Sequence, residues 1–286
     1  MFYYLYMTGF VLARIFPLRI SYSIAGFVAW VYFVFSRSDR GAMRDNLRVV
    51  LGPEVSSAKI ERTIFLIFKN FAKYLADFFR FPRFSEEYIS RNIEIRGREN
   101  LDVCQAEGKG TILVALHLGN WELGAALVGA LGYDLCVIAL EHSNTRINDF
   151  FNSQRAINGV KSIPTGANVK SCFRALGKNQ MVAIAADKDY TSTGVEVDFF
   201  GQKTLLPRGA AVISLRTGAP IVFTALTREK GDRFRLSFEK PIRYLPTGDN
   251  ERDVKGLIGE YVKIFEKYIL AYSDQWYAFR RIWSLK

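Results

Sequence analysis

The residues best suited to chemistry sit in one short stretch, His117-Leu118-Gly119-Asn120-Trp121-Glu122, which joins an imidazole to a nearby carboxylate. Imidazole changes charge near neutral pH, so it can take a proton from a hydroxyl and return it to a leaving group. The chain holds two histidines, His117 and His142, and only His117 stands where a strand should end. Glu122 is placed to fold back toward the His117 ring, where a carboxylate would fix the tautomer and stabilise the imidazolium. Taken singly, each residue has a plainer reading: a hydrogen-bonded structural histidine, and a first-turn carboxylate favoured by the helix dipole. His142, beside Glu141 in a loop after a strand, reads as a surface or supporting residue.

The elements that must position this stretch follow from the apolar pattern. Thr111 to Leu116 is continuously apolar after its threonine, the pattern of a strand buried on both faces. Such a strand delivers His117 to the carboxyl edge of a sheet, where open α/β sheets place their ligands. Leu118-Gly119-Asn120 then makes a tight turn into a helix starting near Trp121. Further strands are expected at Asn92 to Arg96, Leu135 to Leu140, Met181 to Ala186, Ile221 to Leu226 and Phe234 to Phe238. Helices are expected at 98–107, 121–131, 144–158, 167–177, 207–217 and 251–272. Alternation of this kind predicts an α/β fold with a mixed sheet flanked by helices. Upstream, Ile60, Ile64, Phe68, Phe71, Leu75 and Phe78 recur at helical spacing, so 56–80 reads as one amphipathic helix capped by Ser56 or Ser57 and ended by Pro82. There is no internal repeat, low-complexity tract or long linker. The expected organisation is an apolar anchoring segment over 1–36 and one α/β domain over 37–286, with 37–91 as a helical lead-in.

At 286 residues the chain can bury a sizeable core, and its 49% hydrophobic and 14% aromatic content is concentrated at the N-terminus. Residues 2–13 and 20–35 are apolar and aromatic, separated by Arg14, Pro17 and Arg19 and followed by Arg37, Arg40, Arg44 and Arg48. The runs suit a marginal single span or two short helices dipping into one leaflet, with the basic side cytoplasmic. A cleaved signal peptide fits less well, because no small-residue cleavage pattern follows the apolar run. A net charge of +11 favours anionic partners, but the basic residues are scattered, without zinc-finger spacing or an aromatic RNA-binding signature, so nucleic acid is not expected. Cys104, Cys136 and Cys172 are far apart and read as buried free thiols in a reducing compartment. The chain has no GxSxG elbow, HExxH zinc motif, glycine-rich phosphate loop or Rossmann glycine fingerprint. No metal or cofactor is expected.

HLGNWE matches the His-x4-acid motif of the glycerolipid acyltransferases, and its surroundings resemble the bacterial lipid A biosynthesis acyltransferases, the lauroyl and myristoyl transferases among them. The resemblance is carried by Arg155 to Val160 leading into Ile163-Pro164, by Asp187-Lys188-Asp189, by Gly194-Val195-Glu196-Val197-Asp198-Phe199-Phe200-Gly201, and by Arg216 to Pro220. The stretch from Asp187 to Gly201 is also similar to the mycobacterial phosphatidylinositol mannoside acyltransferases. The resemblance implies that Glu196 is a second carboxylate near His117, competing with Glu122 to orient it, and that Arg155 binds the phosphate-bearing part of an acyl donor. Asp187 either supports the site or caps the following loop, and Asn120 and Lys188 stand with it as candidate substrate contacts. Lys188 departs from the family, which commonly has Gln or Arg at that place. Arg155, Arg208 and Arg216 each read equally as solvated surface charges.

An acyl thioester is already activated, so its transfer needs a base for the acceptor hydroxyl and stabilisation of a transient oxyanion, with no protein nucleophile. That agrees with the residues present. The expected protein is a transferase at the bacterial inner membrane, its catalytic part on the cytoplasmic face. It would move a fatty acyl chain from acyl carrier protein or acyl-CoA to an anionic glycolipid such as a lipid A precursor. The alternatives are a phosphatidylinositol mannoside or lysophospholipid as acceptor and, from another class, a non-catalytic protein that binds lipid at the membrane surface. The latter explains the charge and the apolar start but leaves HLGNWE, Glu196 and Arg155 without a role.

Overall fold

The computed structural model describes residues 2–80, 85–140, 144–164, 169–189 and 193–283. Pro82, Glu141 and His142 lie outside the described residues. Two apolar helices open the chain, α1 (Phe2–Ile15) and α2 (Leu18–Phe35), separated by Pro17 in an extended conformation, which proline's fixed φ favours. Helix α2 has 18 residues and a mean hydropathy of 1.5, so it is long and apolar enough to cross a membrane. One of its faces is nonetheless committed to protein, because Ser21, Tyr22 and Ala29 are buried. Phe27, Val28, Trp30 and Phe35 are exposed on the remainder.

Helices α3 (Arg37–Leu51) and α4 (Ser57–Arg80) follow, and α4 is the bar against which α1, α2 and α3 pack. Its start is the expected one: the Ser56 hydroxyl accepts from the Lys59 N–H at 3.3 Å and caps the first turn. Ile60, Ile64, Ile67, Phe68 and Phe78 are buried along it, as the helical spacing of apolar residues requires.

The α/β part runs α5 (Glu86–Asn92), β1 (Ile93–Arg96), α6 (Arg98–Ala106), β2 (Thr111–Ala115), α7 (Trp121–Ala130), β3 (Leu135–Ala139), α8 (Thr145–Ile157), β4 (Lys161–Pro164), α9 (Val169–Leu176) and β5 (Met181–Ala185). It continues through β6 (Val195–Phe199), β7 (Gln202–Leu206), α10 (Gly209–Thr217), β8 (Ile221–Arg228), β9 (Phe234–Phe238) and α11 (Asn250–Ala271). Seven of these strands form one sheet in the order β1-β9-β8-β2-β5-β3-β4. Every pair is parallel except β8 with β9, which is antiparallel, so the sheet is mixed and flanked by helices as its alternating pattern predicts. Strand β2 sits between β8 and β5, buried on both faces, which is why its sequence is uniformly apolar. Ile112 and Val114 join the core built with α9, α10 and α11, while Leu113 joins the opposite core with α4, α6, α7 and α8. That alternation is the two-residue period of a strand.

Two elements depart from the expectation. Strand β4 stands where only a motif was read, and the stretch from Gly194 to Gly201 contributes one arm of an antiparallel hairpin, β6 with β7, beside the main sheet. The alternation Val195-Glu196-Val197-Asp198-Phe199 carries that strand: Val197 and Phe199 are buried and Glu196 and Asp198 exposed. Cys104, Cys136 and Cys172 are buried free thiols.

The turn after β2 is the tightest constraint on the site. Gly119 has φ +65°, and a Cβ there would lie 2.0 Å from the carbonyl oxygen of Leu226. Backbone cannot yield that distance, so only glycine fits. Gly119→Ala is expected to cost about 2–4 kcal/mol of stability, measurable by denaturant unfolding. Wild-type stability in that variant would contradict the turn as described.

Candidate active site

The parallel register of β2 and β5 pairs Ala115 with Ala185, and the same offset carried two residues past the strand ends brings His117 to Asp187. The His117 Nδ1 and Asp187 Oδ1 lie 2.6 Å apart. Asp187 is fully buried, and its second oxygen accepts from the His117 backbone N–H and from the Trp276 indole N–H, each at 3.1 Å. Three donors thus converge on one carboxylate. Burial alone would raise the Asp187 carboxyl out of the ionised range, but the facing His117, with Lys188 and Trp276, outweighs it and holds the group well below the usual carboxylate value. An ionised Asp187 fixes the ring with its proton on Nδ1, which leaves Nε2 as the basic nitrogen. Among the described residues Nε2 has no hydrogen-bond partner, and the side chain keeps 21% of its surface exposed.

Residues 275 to 277 close the turn from the other side. Gly119 N–H donates to the Gln275 carbonyl at 2.9 Å, and Tyr277 N–H donates to the His117 carbonyl at 2.8 Å. The Lys188 ammonium donates to the Tyr277 carbonyl at 2.8 Å, and burial pushes its pKa down despite the attraction of Asp187. Trp121 packs edge-on against the His117 ring at 5.2 Å and stacks on Tyr74 at 4.4 Å. These rings pack one side of the imidazole.

A cleft of about 640 Å³ opens over this constellation. His117, Trp121, Lys188 and the pair Glu122 and Arg155 line it, and Leu113, Val128, Leu135 and Val137 make its apolar wall. An apolar cavity lined at one place by an imidazole suits a hydrocarbon chain with a reactive carbonyl at its head. Among the described residues no three His, Cys, Asp or Glu side chains converge as a metal site would need.

The structure redistributes the expected roles. Glu122 does not fold back to His117; it receives both Nε and Nη2 of Arg155, at 2.9 and 2.6 Å, in a bidentate pair. The pair is buried, with 7% and 11% of the two side chains exposed, and joins α7 to α8 on the cleft wall. Arg155 also donates its Nη1 to Asn152 at 3.2 Å, so three of its five N–H donors meet protein while the side chain lines the cleft. Glu196 is exposed on the β6–β7 hairpin, opposite Leu205, and does not line the cleft. Asn120 is 2% exposed and its side chain is used at both ends: Oδ1 caps α7 through the Leu123 N–H at 3.1 Å, and Nδ2 donates to Asp77 at 3.2 Å. Arg208 lines the cleft mouth, paired with Glu251, and Arg216 is exposed. Trp276, Tyr277 and Gln275 carry no local signal of their place, since they reach the site only through the return of the chain after α11.

The lowered Asp187 carboxyl has a consequence for stability. A group whose folded pKa is depressed stabilises the fold above its unfolded value, about 3.9, and that contribution disappears as pH falls through the folded value. The stability difference between the wild type and Asp187→Asn is therefore expected to shrink as pH falls below about 4. Thermal melts across that range measure it, and a gap that widens with acid would contradict the ionised Asp187.

The family model described as bacterial lipid A biosynthesis acyltransferase matches residues 1–284 of the chain. The chain is 27% identical over 250 residues to a phosphatidylinositol mannoside acyltransferase of Mycobacterium tuberculosis, covering 84% of this chain and 76% of that protein. A phosphatidylinositol mannoside acyltransferase of Mycolicibacterium smegmatis is 24% identical, with 97% and 90% covered. The lipid A biosynthesis palmitoleoyltransferase of Escherichia coli is 22% identical, with 85% and 78% covered. A family match over nearly the whole chain, together with a histidine that lines an apolar cleft and is backed by a buried carboxylate, makes this protein an acyltransferase of the bacterial lipid A biosynthesis acyltransferase family.

Proposed function

We propose that this protein transfers a fatty acyl chain from an acyl thioester to a hydroxyl of a membrane glycolipid, with His117 as the base and Asp187 as the group that orients it. The observation that carries this reading is the His117–Asp187 pair at 2.6 Å, with Nε2, unpartnered among the described residues, beside an apolar cleft of about 640 Å³. The acyl chain lies along the apolar wall and its carbonyl carbon reaches the ring. His117 Nε2 takes the proton of the acceptor hydroxyl as its oxygen attacks that carbon. The carbonyl electrons move to the oxygen, and Lys188, whose ammonium has donors left after its bond to Tyr277, faces the developing charge. Collapse of the oxyanion breaks the carbon–sulfur bond, and His117 returns its proton to the departing thiolate. The donor is acyl carrier protein or acyl-CoA, and the net charge of +11 suits the anionic surface of either.

A lipid A precursor is the acceptor that the family description supports. A phosphatidylinositol mannoside is supported by the Mycobacterium tuberculosis relative, 27% identical against 22% for the palmitoleoyltransferase. Mass spectrometry of lipids before and after expression separates the two, because the acceptor appears as the lipid that gains the mass of one acyl chain.

The site meets its acceptor at the inner membrane's cytoplasmic face. With Tyr22 and Ala29 buried against protein, α2 lies along the body and its outer face, with Phe27 and Trp30, enters one leaflet. Exposed Arg37 and Arg48 on α3 are then near the headgroups.

His117→Ala is expected to lower turnover of a labelled acyl donor by about 10²-fold or more, with melting temperature and vesicle binding held. Unaltered turnover would sink the base assignment. Phe27→Ser with Trp30→Ser removes apolar area worth about 1.5–3 kcal/mol per side chain and is expected to weaken binding to anionic vesicles by tenfold or more, without lowering the melting temperature. Undiminished binding would contradict insertion through α2.

A further inference from the structure

Behind the catalytic turn, and outside the cleft, lies a second buried polar cluster. Asp77 of α4 is fully buried and collects three donors: the Tyr22 hydroxyl of α2 at 2.5 Å, Asn120 Nδ2 at 3.2 Å, and Arg228 Nη2. Arg228, at the end of β8, also donates to the Tyr22 hydroxyl at 3.1 Å and to Asp232 at 3.3 Å. Its backbone N–H and carbonyl are both engaged by the Gln275 side chain at 2.8 Å. The Gln275 carbonyl takes the Gly119 N–H, and the Leu226 carbonyl takes the Asn120 N–H at 2.8 Å. The turn from His117 to Asn120 is therefore held from behind by α4, β8 and the segment after α11, while its front faces the cleft. None of Tyr22, Asp77, Asn120 or Arg228 lines that cleft.

A buried ion pair is a poor way to gain stability, since apolar residues of the same volume often pack as well or better. What the network supplies is direction. Asn120 joins the two: one end of its amide caps α7 and the other is fixed by Asp77, so the carboxylate sets the angle at which the turn leaves β2. The Tyr22 hydroxyl extends the same network into the apolar helix whose outer face is exposed.

We propose that Asp77 is a positioning residue for acyl transfer: acting through Asn120 it sets the turn that carries His117, and through the Tyr22 hydroxyl it makes that setting depend on α2 being docked against α4. The proposal rests on His117 as the base. It assigns to α2 a role in turnover that is separate from anchoring.

Two variants in the full-length protein test it. Asn120→Ser keeps a hydroxyl to cap α7 but has no donor for Asp77, and Tyr22→Phe keeps the ring beside Arg228, 5.1 Å from its guanidinium carbon, without the hydroxyl. Each is assayed on anionic vesicles with a labelled acyl thioester, beside His117→Ala, and the folded fraction is checked by circular dichroism. The expected result is a kcat lower by about tenfold for Asn120→Ser and about threefold for Tyr22→Phe, with donor KM within about twofold and vesicle binding unchanged. A loss of turnover that only follows reduced folding or reduced vesicle binding would make these residues structural or anchoring, and would overturn the proposal. Wild-type kcat in both variants while His117→Ala is inactive would sink the positioning role alone, whereas turnover in His117→Ala would sink the base assignment beneath it.

Discussion

The site depends on one interaction, the hydrogen bond between His117 and Asp187, and that bond is a product of sheet register. Strands β2 and β5 lie side by side and in parallel, so residues equally far past their ends meet at the same edge. A slip of one residue would turn His117 toward the opposite face of the sheet and separate the pair. The register is secured by burial on both faces: Ile112, Leu113 and Val114 on β2 and Met181 and Val182 on β5 are buried to within 1%. The packing of the two cores and the chemistry of the edge are thus one constraint.

Three buried acids surround the turn, and each is committed to a different element. Asp187 holds the His117 ring, Glu122 locks α8 onto α7 through Arg155, and Asp77 ties α4 and α2 to Asn120. Removing one partner of a buried ion pair typically costs about 3–5 kcal/mol, because the remaining charge is left without compensation. Satisfying each carboxylate with two or more donors therefore fixes several elements against one another at once. The result is an imidazole whose orientation is set on one side by a carboxylate and on the other by the Trp121 ring, with the apolar cleft in front.

Much of this frame is legible in the chain. Continuous apolar runs mark β2, β3, β5 and β8, helical spacing marks α4, and the turn residues after His117 mark the sheet edge. The partner of His117 is another matter. Glu122 is near in sequence, in the first turn of α7, but its carboxylate meets the fork of Arg155, which stands 33 residues away. Asp187 is 70 residues from His117, and only strand order, which no local pattern carries, makes them neighbours. Glu196 follows from a motif, and the strand alternation around it already turns its side chain outward. Gln275, Trp276 and Tyr277 lie beyond any local signal because their contacts are long-range backbone pairings with the turn.

The proposed reaction requires Asp187 to hold His117 with its proton on Nδ1 and its lone pair on Nε2, facing the cleft. With only two histidines in the chain, ¹⁵N-histidine NMR resolves the question directly, and a His142→Gln variant assigns the signals. Under conditions where the imidazole is neutral, a protonated Nδ1 with the shift of a carboxylate-bonded donor and an unprotonated Nε2 are expected. A neutral His117 protonated on Nε2 would contradict it, since that ring has no base to offer an acceptor hydroxyl.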